Sequence, residues 1–375
     1  MSARLRSFTG MRGIATVPSY LIMQPTTLCN LDCAYCYLPH RGLDRRMSIA
    51  VAEATAATAN QWAAEAQRFS IVWHGGEPLA AGRDHLAALM APFVGVEHHV
   101  QTNATLVDDA WCEFFLAHGV RVGISVDGPA LRTAQRVDRG GRPAYDRIHR
   151  GIEALRRHDI PFAALCVVSQ PEPGLAGELY DYFRALGCYA LGINVEEQEG
   201  VNKRSNAHAT DSVRQFWAEL TQAWRADPRI EVREVEWAVR YAGAWLADGA
   251  DDLLPRYIDP IPSIGCDGRV VLLSPELAGF ADERYGDFAS GSVLDTPLSD
   301  IVSAAADSPA GWIAEYLVGV EACRSSCPYF GFCGGGHAAN RFFEHGRFDG
   351  TQTNHCRNSK IGLLEGVLDH VRDHA

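Results

Sequence analysis

Gln24-Pro-Thr-Thr-Leu-Cys29-Asn-Leu-Asp-Cys33-Ala-Tyr-Cys36-Tyr37 sets three cysteines at C-x3-C-x2-C spacing directly after a short apolar run. Three thiolates on one loop beyond a strand can hold three corners of a 4Fe-4S cluster, which normally takes four ligands. No fourth cysteine lies close by, and the nearest histidine is His40. A cluster with one open iron is poised to bind an exogenous ligand, much as a catalytic zinc keeps an open position. Zinc itself would favour paired Cys-x-x-Cys units and a fourth protein ligand.

Outward from that loop, short apolar runs alternate with helix-like segments for about half of the chain, the pattern of βα units and a parallel sheet. Strands are expected at Ser19–Gln24, Phe69–Trp73, Glu97–Gln101, Val120–Val126, Phe162–Val168 and Tyr189–Asn194, with helices at Ile49–Gln67, Asp108–His118, Tyr145–His158 and Leu175–Leu186. The loops after the strands read CNLDCAYC, HGGEP, TNAT and SVDGP, at the edge where βα barrels build active sites. Beyond Asn194 the alternation stops. Ala207–Asp227 and Val235–Ala247 read as bridging helices, and from Ile258 the chain turns rich in Gly, Pro and Cys. Metal rather than a large core is expected to organise that last region.

The whole chain has 375 residues, 47% hydrophobic and 21% charged, ordinary for a globular protein of two domains. A net charge of −12 argues against nucleic acid as a partner. The arginines between Arg132 and Arg157 read as a solvated helix face. No apolar run suits a membrane span, and Met1–Gly10 lacks the apolar core of a signal peptide, so a cytoplasmic protein is expected. In a reducing compartment, eleven cysteines mean metal or catalysis rather than disulfides.

Four of them form a second set, Cys323-x3-Cys327-x5-Cys333, closed by Cys356. Two short spacings and one distant ligand make a complete site for zinc or for 4Fe-4S, and spacing alone does not choose. Cys112, Cys166 and Cys188 fall on expected helix or strand positions and read as core.

The first loop, with Tyr35 before its last cysteine, resembles the signature of the radical S-adenosylmethionine (radical SAM) superfamily. The resemblance implies that the open iron is chelated by S-adenosylmethionine. One electron from the cluster then cleaves the sulfonium bond, and a 5′-deoxyadenosyl radical abstracts hydrogen. It also implies contacts to S-adenosylmethionine from Gly75, Gly76, Glu77 and Pro78, where Glu77 accepts from the methionyl amino group, and from Thr102 and Asn103. Ser125 and Arg136 become candidates for its carboxylate, with Asp127 beside them. A guanidinium suits that task because it clamps a carboxylate with two hydrogen bonds. The second set resembles a SPASM domain, the auxiliary-cluster module of many peptide-modifying members, and on that likeness Cys323, Cys327, Cys333 and Cys356 hold a second 4Fe-4S cluster. His337 stands where the pattern has a further cysteine, and Cys266-Asp-Gly268 lacks its companion, so one auxiliary site rather than two is expected. Ser274-Pro-Glu-Leu277, Tyr285-Gly-Asp-Phe288 and Cys333-Gly-Gly-Gly336 resemble the GrrM/OscB-like maturases, which crosslink ribosomal peptides into cyclophanes.

The expected architecture is therefore α/β. An open, partial (β/α)6 TIM-like barrel spans Val17–Val195, bridging helices span 196–257, and a small cysteine-rich SPASM-like domain spans 258–375. The expected activity is crosslinking of a precursor peptide, with Asp267, Glu276 and Asp287 as candidates to remove a proton as the ring closes. A small metabolite (a nucleoside, sugar or amino acid) is the alternative substrate, because the residues before Ser19 are too few for a leader-binding winged module. A third reading, a zinc-stabilised binding protein, predicts no cleavage of S-adenosylmethionine. A flavodoxin or ferredoxin is the expected electron donor.

Overall fold

The computed structural model describes residues 13–65, 69–247, 253 and 257–373. Met1–Gly10 and the expected helix end at Gln67 lie outside these residues. Six parallel strands follow one another across the sheet: β1 (Tyr20–Met23), β2 (Ser70–Trp73), β3 (Glu97–Thr102), β4 (Arg121–Ser125), β5 (Phe162–Val168) and β6 (Ala190–Val195). All six lie within a residue or two of their expected places. The crossovers carry α1 (Ile49–Glu65), α2 (Arg83–Met90), α3 (Asp109–His118), α4 (Tyr145–Arg157) and α5 (Leu175–Leu186).

Strand alternation explains why this sheet can carry a site. One face (Leu21 and Met23, Ile71 and Trp73, Val122 and Ile124) is sealed under the helices. The other face (Tyr20 and Ile22, Val72, Gln101, Ser125, Leu165, Asn194) is only half-buried. Parallel sheets ordinarily bury both faces, so the partly open inner face lines a working space rather than a packed interior.

The remaining strands extend the same sheet at both ends. β7 (Glu231–Val232) pairs with β6, and α6 (Thr210–Ala226) and α7 (Arg233–Leu246) flank it in sequence. At the other edge β8 (Ser263–Ile264) runs parallel to β1, followed by antiparallel β9 (Arg269–Val271) and β10 (Gly291–Ser292). The final region adds α8 (Leu298–Asp307), α9 (Gly311–Ser326), the short turns α10 (Phe330–Cys333), α11 (Ala338–His345) and α12 (Asn354–Cys356), and α13 (Gly362–Asp373). α13 lies against α6 and α7. No described helix is long and apolar enough to cross a membrane.

One expectation is corrected here. The region after Ile258 does possess a substantial core of its own. Phe288 packs edge-on against Phe342 with ring centroids 4.8 Å apart, Phe342 stacks on Phe348 at 5.3 Å, and Trp312 and Tyr285 close the cluster. These rings come from four separate segments, so no local apolar run announces them.

Candidate active site

Cys29, Cys33 and Cys36 sit half-buried on the loop beyond β1. Backbone bonds shape the loop: the Cys29 amide donates to the Arg41 carbonyl at 2.9 Å and the Cys36 amide to the Cys33 carbonyl at 3.1 Å. Arg139 caps it by donating to the Cys29 carbonyl (2.9 and 3.1 Å), so this arginine does more than dress a helix face. The Asn103 amide reaches within 3.9 Å of the Cys29 sulfur. Burial pushes the thiols of Cys29 and Cys33 up to about 12 and about 11, so a bound metal must displace protons from both.

The HGGEP loop presses directly on this segment. Gly75 and Gly76 have φ of 89° and 67°, the left-handed region that glycine tolerates best. A Cβ on Gly76 would stand 2.6 Å from the Leu28 carbonyl oxygen. Glu77 is buried, and its carboxylate accepts from the Thr102 hydroxyl (2.6 Å), the Asn103 amide (2.8 Å) and the Leu79 amide (3.1 Å). Burial raises its pKa while these three bonds oppose the rise. Through these bonds Glu77, the residue expected to receive the methionyl ammonium, staples the β2 and β3 loops together. Pro78 opens the 3-10 turn that Glu77 caps.

Arg136, expected at the carboxylate of S-adenosylmethionine, is engaged inside the fold. Its guanidinium forks onto Asp127 with bonds of 2.8 and 2.9 Å, both side chains being buried. The Tyr35 hydroxyl donates to the same carboxylate at 2.6 Å, and the Arg136 guanidinium lies 5.4 Å over the Tyr35 ring. The Val167 amide donates to Asp127 as well, at 3.0 Å. Tyr35, Asp127 and Arg136 thus lock the cysteine loop to β4 and β5. Ser125 faces the inner space and accepts from Gln101 at 2.8 Å. Beside Asp127 a cavity of about 130 Å³ opens past the ends of β4 and β5, lined by Gln135, Val167 and Ser169 among others.

Of the three candidate proton acceptors the fold brings only Glu276 to the interior. Asp267 is exposed and accepts from the Arg269 amide of its own turn. Asp287 pairs with Arg269 at the surface. Burial, with a further push from Glu197, raises Glu276 to about 7. Its charge acts in turn on Tyr20 and on Tyr37, the residue after Cys36. Glu197 and Glu199, on the loop after β6, complete an acidic wall that the motifs did not announce. The run Val195-Glu-Glu-Gln-Glu-Gly200 ends a strand at the same edge as the other motif loops, and that was the available signal.

Cys323, Cys327, Cys333 and Cys356 line one cavity of about 220 Å³, together with His337, Arg341 and Tyr329. Burial lifts Cys356 to about 12, and the other three thiols add to the rise, as mutual neighbours should. Among the described residues no three His, Cys, Asp or Glu side chains converge on one ion. Arg341, also unforeseen, is buried at 1% exposure beside this cavity. It donates to the Cys323 sulfur (3.5 Å) and to the carbonyls of Gly335 (2.5 Å), Phe348 (3.0 Å) and Tyr316 (3.2 Å). Cys266 is half-buried beyond β8. Cys112, Cys166 and Cys188 are core, as expected.

Residues 23–186 match the family model described as the radical SAM superfamily. An uncharacterized protein of Synechocystis sp. is 33% identical over 369 residues, covering 94% of this chain and 92% of its own. The chain belongs to the radical SAM superfamily. A serine-type anaerobic sulfatase-maturating enzyme of Klebsiella aerogenes is 33% identical over 225 residues. This radical SAM chain spans about half the length of that relative (55%), with 56% of its own residues matched. Among solved structures, anSMEcpe with bound AdoMet superposes with a TM-score of 0.72 at 19% identity, covering 94% of this chain and 98% of the other. SuiB of Streptococcus suis, bound to its precursor peptide SuiA, superposes at 0.64 and 16% identity, covering 92% and 76%. Both likenesses speak for the fold. As a radical SAM enzyme the chain uses S-adenosylmethionine and iron–sulfur chemistry, and the three-thiol loop has the donor set that suits an open-iron cluster.

Proposed function

We propose that this radical SAM enzyme modifies a ribosomal precursor peptide by closing a cyclophane-type carbon–carbon crosslink. The observation that carries the reading is the position of Glu276. This interior carboxylate acts on Tyr37 beside the three-thiol loop and belongs to an acidic wall that reaches His355, the neighbour of Cys356. Structural neighbours solved with a bound peptide support a peptide substrate, as do the motifs shared with GrrM/OscB-like maturases.

Cys29, Cys33 and Cys36 hold the first cluster in this reading, and the second set holds an auxiliary one. When bound and reduced, the first cluster with S-adenosylmethionine supplies a 5′-deoxyadenosyl radical that takes one hydrogen atom from the peptide. Forming the new bond then releases one proton and one electron. Glu276 accepts the proton, for which a pKa near neutrality suits it. An auxiliary cluster held by Cys323, Cys327, Cys333 and Cys356 would accept the electron. Gly75, Gly76, Pro78, Thr102, Asn103 and Ser125 shape the S-adenosylmethionine pocket, while Glu77, Tyr35, Asp127 and Arg136 keep its walls in place. A flavodoxin or ferredoxin supplies the first electron, in the cytoplasm.

The test is anaerobic reconstitution with an iron count and a dithionite-dependent assay for 5′-deoxyadenosine. About eight irons, four per cubane, with peptide product lighter by two hydrogens per crosslink, is the expected result. Zinc with no 5′-deoxyadenosine would sink the reading. Turnover of a nucleoside, sugar or amino acid with peptides left untouched would replace the peptide.

A further inference from the structure

One cation in the interior of the last region has no anion to answer it. Arg341 is 1% exposed, and its guanidinium donates to three backbone carbonyls and, at 3.5 Å, to the Cys323 sulfur. Acids on the surrounding segments pair elsewhere: Glu315 with Arg284, Glu321 with Arg324 and Asp349 with Arg347. The adjacent Asn340, not Arg341, meets the acidic wall, donating to Glu197 and to Glu199 at 2.6 Å each. Among the described residues Arg341 therefore has no carboxylate partner. A buried charge left in that state is costly, and neutral carbonyls offset only part of the cost.

The fold nevertheless makes room for it. The guanidinium lies 5.0 Å over the Tyr316 ring, and a Cβ on Gly319 of α9 would collide with it. Negative charge is available on one side of this group. Cys323, Cys327, Cys333 and Cys356 line the same cavity as Arg341. A cubane held by four thiolates is a net anion, more so once reduced, and its potential follows that charge and the hydrogen bonds to its sulfurs.

The first cysteine set is arranged differently. Burial raises the Cys33 thiol, and Arg136 pulls it down, but Asp127 pushes the other way at the same sulfur. That arginine and aspartate cancel as a buried pair. At Cys323 burial also raises the thiol, and Arg341 opposes the rise with no carboxylate set against it. A compensated arginine beside the first set and an uncompensated one beside the second push the two potentials apart.

We infer that Arg341 is the counter-charge of the auxiliary cluster, a positioning residue that acts through the Cys323 sulfur to raise the cluster's reduction potential. The inference rests on the proposed function and adds what fits the second site to its task. As the crosslink closes, the substrate radical loses one proton to Glu276 and one electron to the oxidised auxiliary cluster, which a raised potential favours.

The test uses the full-length chain carrying Cys29→Ala/Cys33→Ala/Cys36→Ala, reconstituted without oxygen, so that the reduced signal arises from the second set alone. Redox titration followed by electron paramagnetic resonance reads its potential. Arg341→Gln in that chain should lower the potential by at least about 59 mV, a tenfold change in a one-electron equilibrium, and Arg341→Lys should keep most of the wild-type value. An unmoved potential in Arg341→Gln overturns the inference, as does Arg341→Lys falling as far as Arg341→Gln. A third measurement needs no change at Arg341. With heavy-nitrogen arginine incorporated, the reduced cluster should show a nitrogen coupling from the guanidinium, and its absence overturns the contact. No iron in the triple variant, with about four in the wild type, would remove the auxiliary cluster and overturn both this inference and the electron's destination in the proposed function. Peptides left unmodified while the potential shifts as expected would count against that function alone.

Discussion

The two cysteine sets are built in opposite ways. The first lies on one continuous loop, and its shape comes from backbone bonds, from the glycine loop pressed onto it and from the Tyr35–Asp127–Arg136 lock. The second collects thiols from the end of α9, from α10 and from α12 around a cavity, with a buried arginine between the walls. A loop shaped by its own sheet keeps its form when a thiol is lost. A cavity shaped by helices brought from a distance depends on whatever bridges them.

Replacing Cys29, Cys33 and Cys36 together by alanine should abolish 5′-deoxyadenosine formation. The apo protein should lose little stability, with a Tm within a few degrees of wild type. A collapse in Tm would show that the loop is not preorganised. Arg341→Met should be the more damaging change for folding. It strips donors from three buried carbonyls and a sulfur, which removes about 3–5 kcal/mol, readable by urea titration of the apo chain. If its midpoint stays put, the second cavity does not depend on its arginine.

Glu276→Gln should cut crosslinked product by about a hundredfold, the usual scale for a lost general base. For wild type the rate should rise with pH through about 7, because the acceptor must be ionised. That limb should vanish in the variant. Should it persist, another group takes the proton. Gly76→Ala should cost about 1–3 kcal/mol, since it forces a left-handed residue against a carbonyl. Asp267→Asn and Asp287→Asn should each stay within about twofold in product formation, as surface changes usually do. A large loss from either would bring that carboxylate back into the site.

Much of the barrel was legible because its signals are local. Strand runs, helix periods and the loop motifs all occur within a few residues of one another. The placement of Glu276 was partly legible, as one of three acids in the right region. What sequence could not supply was which donors each motif residue already engages among its neighbours. Asp127 and Arg136 both looked like ligand contacts, yet they satisfy each other. Glu77 looked like an ammonium acceptor, yet three donors inside the fold already use it. Arg341, Asn340 and the aromatic core around Phe288 were invisible for a different reason. Their contacts join segments far apart in the chain, and no spacing rule reaches that far.

The pairing of β8 with β1 has a consequence in time. The Ser19 amide bonds to Asp259, and Ile22 to the carbonyl of Pro262, about 240 residues onward. During synthesis the first strand therefore leaves the ribosome with one edge unmatched. It keeps that edge open until roughly two-thirds of the chain has followed. A nascent protein with an unsatisfied ladder is vulnerable to a wrong partner for all of that interval, so the making of this enzyme carries a long exposure that ends only when β8 arrives to cover its first strand.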